Sequence, residues 1–164
     1  MNLGAGETVV RMGEYAVAIA PATLVTLALG SCVAMVLHDS ASGIGAMAHV
    51  LLPASSLSRD RGNRARSVDT AVPLLVESLE RHGADLRRTT AKLVGGAAMF
   101  ATLIPKGTVG MGERNVLASR IALRTAGIAV VGEAVGGGSS RSVWFDVARG
   151  TVTVRMVGRE PTVL

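Results

Sequence analysis

The first fifty residues alternate short apolar runs with turn-forming residues, a pattern typical of a strand-rich protein. Residues 8–12 and 15–20 are predicted to form two short strands, the second of which Pro21 ends. Residues 22–29 are apolar with two threonines and fit either a strand or a turn. Gly30-Ser31 then interrupts the pattern, so that backbone N–H groups there can point free of any ladder.

Two pairs of apolar runs predict β-hairpins. The first pair, residues 32–38 and 43–53, is joined by the turn-forming cluster that begins at Asp39. The second pair, residues 141–147 and 151–157, alternates well around Arg149-Gly150. We therefore expect hairpins towards both ends of the chain.

Two segments have helical periodicity. Residues 67–83 predict a helix with Ser67 or Asp69 as the N-cap and Gly83 after its end. Residues 111–127 predict a second helix with a glycine stop. The preceding polar stretch, residues 54–66, carries four arginines and fits either a solvated loop or a mobile arm that engages an acidic partner.

Two further buried strands are predicted at residues 91–100 and 128–135, which gives two helices and about eight strands without a repeat or linker. This order favours an α+β fold, with a mixed or antiparallel β-sandwich core and two or three outer helices. We expect residues 1–164 to form a single domain, with residues 1–6 and 158–164 as loose tails.

Composition limits the classes of function. The single cysteine excludes an intramolecular disulfide and suggests a reducing compartment. No apolar run reaches the ~18 residues of a membrane span, and the N-terminus lacks a basic signal segment, so we expect a cytoplasmic, soluble protein. The net charge of +5 suits an acidic partner. Nucleic acid is the weaker choice, because only four residues are aromatic and no zinc-finger or P-loop spacing occurs.

The first hairpin carries the candidate chemistry. Cys32 lies on one arm and His49 on the other. If opposed residue numbers sum to 81, these two side chains face each other ~4.5–5.5 Å apart and can hydrogen-bond. A sum of 82 moves His49 to the other face of the sheet, and the sequence leaves both registers open. Free backbone N–H groups at Gly30 and Ser31 would favour a thiolate and an oxyanion.

Other candidate sites are weaker. His38 lies on the same strand as Cys32, ~20 Å away if that strand is straight. The same distance argues against a zinc site made of Cys32, His38 and His49. The glycine-rich loops at residues 95–96 and 136–138 lack the spacing of a phosphate-binding motif. No metal or other cofactor is therefore expected.

Several motifs occur in a fixed order along the chain: Thr26-x-x-x-Gly30-Ser31-Cys32-Val, the Gly43–Pro53 arm with His49, Lys92-Leu-Val-Gly-Gly-Ala97, Gly112-Glu-Arg-Asn115 and the Gly-Gly…Arg141-x-Val-x-Phe145 ending. Together they resemble the CheD chemoreceptor glutamine deamidases, over residues from about Glu14 to Val157. Two departures from the family pattern concern local packing or partner contacts: Ser67 stands where the family usually has an aromatic residue, and Ser140-Arg141 stands where it usually has Gly-Arg.

The resemblance implies a cysteine-dependent protein-glutamine glutaminase with a fold like that of toxin-type cysteine deamidases. Cys32, His49 and Thr26 match the catalytic residues of the family, and the backbone at Gly30 and Ser31 would stabilise the oxyanion. The implied substrates are glutamines of chemoreceptors (methyl-accepting chemotaxis proteins), although some members act on asparagine or as methylesterases. The implied partner, where the organism has one, is the phosphatase CheC. No cofactor, nucleic acid or membrane insertion is implied.

Two other functions fit the same residues. The protein could be a non-catalytic adaptor that binds receptors or CheC and regulates chemotaxis signalling without its thiol. It could also be another thiol enzyme, such as a transglutaminase or a peptidase.

Overall fold

The computed structural model describes residues 6–103 and 105–164. In this part of the chain there are ten strands and two α-helices, with short 3-10 turns at Ser55–Leu57 and Ala101–Leu103. The strands are β1 (Glu7–Val9), β2 (Tyr15–Ile19), β3 (Thr23–Leu29), β4 (Val33–Asp39), β5 (Ile44–Val50), β6 (Thr90–Gly95), β7 (Ala129–Val135), β8 (Arg141–Asp146), β9 (Thr151–Arg155) and β10 (Thr162–Val163). The helices are α1 (Val68–Arg81) and α2 (Met111–Thr125).

The strands form two mixed sheets of five. The first sheet has the order β1-β3-β8-β9-β10, and the second has the order β2-β5-β4-β6-β7. The β1–β3 and β6–β7 pairs are parallel, and the other pairs are antiparallel. The expected α+β class with mixed sheets is therefore confirmed.

Alternation along β4 shows how the layers stack. Val33, Met35 and Leu37 contribute to one apolar cluster together with residues of both helices. Ala34 and Val36 contribute to a second cluster together with residues of the first sheet, such as Phe145. Because successive side chains of a strand point to opposite faces, the second sheet lies between the first sheet and the helices. The expectation of helices packed outside the sheets is confirmed.

The register of the β4–β5 hairpin differs from the one we predicted. Ala34 is paired with His49 and Val33 with Val50, so opposed numbers sum to 83 rather than 81 or 82. The reason lies in the turn: Asp39 Oδ1 accepts a hydrogen bond from the Ala41 N–H, and the Asp39 carbonyl accepts one from Ser42 Oγ. These bonds close a four-residue loop and shift the pairing by two from 81, which keeps every side chain on the same face.

The end of the chain also differs from the prediction. Thr162 and Val163 pair with β9, and Leu164 exchanges backbone hydrogen bonds with Val152. Lys92 adds a bond from Nζ to the Leu164 carbonyl at 2.8 Å, since a half-buried ammonium needs acceptors. The expectation of a loose tail over residues 158–164 was therefore wrong for its last three residues. Of the other expected tail, residues 1–5 lie outside the described residues.

The segment of undecided structure, residues 22–29, contains strand β3. It pairs with β1 and β8, and its register shifts between Thr26 and Leu29. Within this β-bulge Ala28 has a φ of 56°, a conformation that is costly for a residue with a Cβ. The chain then passes through Gly30 and Ser31 from the first sheet into β4 of the second.

Candidate active site

The two sheets bring Thr26 and His49 into contact. Thr26 lies on β3 of the first sheet and His49 on β5 of the second. The distance from Thr26 Oγ1 to His49 Nδ1 is 2.8 Å, and both residues are buried. This hydrogen bond therefore spans the core between the sheets, where water competes little.

Hydrogen-bond directions determine which nitrogen of His49 carries a proton. Thr26 Oγ1 donates its only hydrogen to the Val10 carbonyl, at 2.7 Å, because a carbonyl can only accept. Thr26 must then accept from His49, so Nδ1 carries the hydrogen. In a neutral imidazole this leaves a lone pair on Nε2. His49 Nε2 is buried and has no partner among the described residues, so it is free to accept a proton.

Cys32 lies immediately before β4, on the same side as Ala34. It packs against the apolar cluster between the sheets, to which Ala34 also belongs. Since Ala34 is paired with His49, Cys32 and His49 are diagonal rather than direct neighbours, with a spacing of ~7–8 Å between such positions. The two side chains lie on the same face of the sheet, as we required, but the prediction that they lie directly opposite each other was wrong.

Burial shifts the pKa values of both groups towards their neutral forms. Burial raises the pKa of the Cys32 thiol, and it outweighs the Cys32 backbone N–H and the positive charge of Arg66, which both lower that pKa. Burial also lowers the pKa of His49, and this effect outweighs the nearby Val10 carbonyl, which raises that pKa. At neutral pH the cysteine is therefore a thiol and the histidine a neutral imidazole, rather than the two halves of a preformed ion pair.

The backbone before β4 is held at three consecutive carbonyls. Those of Gly30 and Cys32 accept hydrogen bonds from the Ala97 and Gly96 N–H groups, both at 2.8 Å. The Ser31 carbonyl accepts one from Asn115 Nδ2, at 2.9 Å. The Cys32 N–H in turn stabilises the charge on its own sulfur. A backbone donor thus lies beside the thiol, where a negative oxygen would form during attack.

The glycine pair at residues 95–96 allows this close approach. A Cβ on Gly95 would collide with the Cys32 carbonyl oxygen, and the φ of Gly95 is +116°. The structure therefore shows a close approach of two backbone segments at this pair. Gly95 is in turn held by Arg141, whose Nη1 donates to the Gly95 carbonyl at 2.9 Å.

Three groups at the site were not predicted from the sequence. Arg66 belongs to the arginine-rich stretch, but nothing in that stretch separates it from its neighbours. Asn115 stands in one of the quoted motifs, although no role followed from its position. Val10 contributes a main-chain carbonyl, which has no sequence signal. Their proximity to the site comes from contacts between distant segments.

The structure does not bring His38 to the site. It lies near the far end of β4, where Nε2 donates to the Val147 carbonyl at 2.8 Å and the ring makes a T-shaped contact with Phe145. Because this histidine is half-buried and satisfied, its role is in packing. Over residues 6–103 and 105–164, no group of three or more His, Cys, Asp or Glu side chains is arranged to hold a metal ion.

An exposed apolar segment borders the Gly30–Ser31 turn that leads to the candidate nucleophile Cys32, called the nucleophile turn below. Met99 lies against Gly30, where a Cβ would be 2.7 Å from the methionine sulfur. Phe100 and Leu103 follow, with 67% and 79% of their surfaces exposed. A neighbouring cavity of about 610 Å³ is lined by Gly96 and by charged side chains including Lys106 and Arg120. Exposed apolar surface of this kind commonly marks contact with another macromolecule.

None of the helices in the described residues combines the length and the apolar character needed to cross a membrane.

Comparison with known proteins gives one consistent family. The family described as "CheD chemotactic sensory transduction" matches residues 51–156. A "Chemoreceptor glutamine deamidase CheD" of Thermotoga maritima is 44% identical over 93% of both chains. Proteins called "Probable chemoreceptor glutamine deamidase CheD" in Desulforamulus reducens and Thermococcus kodakarensis are 38% and 40% identical, over 96% and 92% of this chain and 96% and 93% of theirs. The chain therefore belongs to the CheD family.

Proposed function

We propose that this protein is a protein-glutamine deamidase that converts glutamine side chains of chemoreceptors to glutamate. One observation carries the chemistry: the Thr26 hydroxyl accepts from His49 Nδ1–H, and Nε2, on the face of the sheet that Cys32 shares, has no hydrogen-bond partner within the part of the chain that the structure describes. The substrate class is carried over from the relatives, which are named as chemoreceptor glutamine deamidases.

The first half-reaction forms a thioester. His49 Nε2 takes the Cys32 proton, and Sγ attacks the carboxamide carbon of glutamine. The carbonyl oxygen becomes negative and is stabilised by the Cys32 N–H in the turn formed by Gly30 and Ser31. His49 then returns the proton to the nitrogen, the C–N bond breaks, and ammonia leaves.

The second half-reaction is hydrolysis. His49 removes a proton from water, and the resulting hydroxide attacks the thioester carbon. The C–S bond breaks, the proton returns to Cys32, and glutamate is released. Together the two halves consume one amide and one water and produce one carboxylic acid and one ammonia. Thr26 acts as the orienting group that keeps His49 in the productive tautomer.

The surroundings of the thiol support a macromolecular substrate. The exposed apolar segment with Met99, Phe100 and Leu103 begins beside the nucleophile turn, and an amphipathic receptor helix could dock there with a glutamine side chain near the thiol. We further propose that the chain acts as one cytoplasmic domain, that its fold is related to toxin-type cysteine deamidases, and that it binds CheC where the organism has one.

The test is mass spectrometry of receptor cytoplasmic fragments incubated with wild-type protein or Cys32→Ala. We expect the wild type to convert single glutamines to glutamate and to release ammonia, and the variant to do neither. Conversion by Cys32→Ala would contradict the thiol mechanism. Cleaved peptides or amine cross-links would point to a peptidase or a transglutaminase. Intact signalling with Cys32→Ala and unconverted receptors would favour the adaptor.

A further inference from the structure

Asn115 joins the two halves of the proposed site through a single amide group. It lies on α2, one turn after the start of the helix, and is fully buried. Its Nδ2 donates to the Ser31 carbonyl at 2.9 Å and to the Leu51 carbonyl at 2.8 Å. Ser31 directly precedes the nucleophile, and Leu51 follows His49 by two residues.

The orientation of this amide follows from its partners. Both are carbonyls, which can only accept, so the NH₂ group must face them and the oxygen must point away. Asn115 Oδ1 is buried without a hydrogen-bond partner among the described residues. A buried carbonyl without a partner costs free energy. What the side chain supplies is therefore its pair of donors.

The bond to Ser31 determines the direction of the Cys32 N–H. The two groups belong to the same peptide unit, and in a trans peptide the C=O and N–H point in opposite directions. Holding the Ser31 carbonyl towards α2 aims the Cys32 N–H away from α2, and that N–H lowers the pKa of the Cys32 thiol. The bonds from Gly96 and Ala97 hold the neighbouring peptide units. The Ser31–Cys32 unit is held by Asn115.

The bond to Leu51 connects the same amide to the strand that carries the base. The Leu51 N–H donates to the Arg66 carbonyl at 2.9 Å, so this strand also fixes the backbone of the arginine whose charge lowers the pKa of the thiol. Rotation or loss of the Asn115 amide would release the nucleophile turn and the strand end together.

We propose that Asn115 is a positioning residue that aims the Cys32 N–H at the developing oxyanion and keeps the nucleophile turn in register with the strand of His49. This inference rests on the proposed thiol deamidation, because it assigns the N–H to the oxyanion of that reaction.

The test compares Asn115→Asp and Asn115→Ala with wild type, with Ser119→Ala as the matched control. Ser119 is buried on the same helix and its Oγ donates to the main-chain carbonyl of Asn115 at 2.7 Å, so its loss perturbs α2 at the same place but spares the amide. The kinetics of glutamine conversion, the pH dependence of thiol alkylation by iodoacetamide and the thermal midpoint are measured for each.

In Asn115→Asp a carboxylate oxygen would face two carbonyl oxygens and turn the Ser31–Cys32 peptide. We expect kcat to fall about 10²-fold with KM within about twofold, because an oxyanion donor acts mainly in the transition state. Alkylation should require higher pH, because the N–H no longer stabilises the thiolate. Asn115→Ala should show the same changes, and Ser119→Ala should match wild type in both readouts.

The outcomes separate this inference from the proposed function. If wild type converts no glutamine, or Cys32→Ala still does, the proposed function fails. If wild type depends on Cys32 but both Asn115 variants keep its kcat and its alkylation profile, only the role of Asn115 is overturned. A purely structural role would lower the thermal midpoint without moving the alkylation profile. Failure of both variants to fold would likewise overturn a positioning role.

Discussion

At the scale of single residues, the tautomer of His49 is determined by Thr26, whose hydroxyl hydrogen is already donated to another acceptor. Thr26 gives its hydrogen to Val10 and can only accept from His49. The triad of acyl-transfer enzymes uses a carboxylate for this purpose, whereas here a neutral hydroxyl and a main-chain carbonyl share it. A neutral partner does not raise the basicity of the imidazole as a charge would, and burial keeps the pKa of His49 below its ordinary value.

Replacing Thr26 tests this orienting role. Thr26→Val keeps the shape but removes the acceptor of the Nδ1–H, so His49 can turn or adopt the other tautomer. We expect kcat for glutamine conversion to fall about 10²-fold, within the range contributed by a positioned general base. Thr26→Ser keeps the hydroxyl and should retain most of the activity. A Thr26→Val protein that converts glutamine at the wild-type rate would show that His49 needs no orienting hydroxyl.

At the scale of elements, the site depends on close packing between the end of β6 and the chain that enters β4. Gly95 pairs with Val33, and the Gly96 N–H donates to the Cys32 carbonyl. The central strands β4 and β5 are buried along almost their whole length. Strands buried on both faces leave little room for adjustment, so a side chain introduced here displaces backbone.

The substitution Gly95→Ala is expected to lower the activity of the folded protein, beyond any effect of reduced stability. Its Cβ would collide with the Cys32 carbonyl and push the nucleophile turn, so we expect at least a ~10-fold loss of kcat. Gly83→Ala is the control, since Gly83 also has a positive φ, of +93°, but no atom within 4 Å of the added Cβ. It should cost about 1 kcal/mol in urea unfolding and leave kcat unchanged. Full activity in folded Gly95→Ala would refute the displacement.

At the scale of the whole molecule, a buried carboxylate ties the β4–β5 hairpin to the segment that follows α1. Asp39 is fully buried, and it accepts hydrogen bonds from Arg88 Nη2 and from the Asp85 N–H, both at 2.9 Å. Burial alone would raise the pKa of Asp39, but the Arg88 guanidinium and the backbone donor outweigh it and hold that pKa far below its ordinary value. The charged form is therefore the one that stabilises the fold.

The sign of this shift predicts a pH dependence of stability. A carboxyl group whose pKa is depressed in the folded state stabilises the fold at pH values above its ordinary pKa of about 3.9. This contribution is lost as the pH falls towards the pKa of the folded state. Asp39→Asn should cost about 2–4 kcal/mol in urea unfolding at neutral pH, because charged hydrogen bonds in a buried site are lost. The difference in the free energy of unfolding between wild type and Asp39→Asn should become smaller in acid.

Arg87→Ala provides the control for Asp39→Asn. Arg87 pairs with Asp85 at 2.9 Å but has a largely exposed side chain, so its loss should leave the free energy of unfolding close to that of wild type at every pH. If the difference in unfolding free energy between wild type and Asp39→Asn stays constant as the pH is lowered, the charge of Asp39 contributes nothing to stability.

The hydrophobic pattern was sufficient for the elements and for the class of fold. Residues 67–83 and 111–127 were predicted as helices, and α1 and α2 lie within those bounds. Both hairpins were predicted, because apolar alternation and turn residues are local signals. The resemblance to the CheD family also came from local motifs, and the comparisons confirmed the family.

Only the tertiary structure decided the partners of the site. The register of the first hairpin depends instead on local side-chain hydrogen bonds within the Asp39 turn, because a cluster of turn-forming residues is compatible with more than one loop length. Thr26 meets Val10 and His49 across 16 and 23 residues of sequence, and Asn115 meets Ser31 across 84. Periodicity determines which face of an element is buried, whereas the packing of the two sheets and α2 determines which buried polar groups meet.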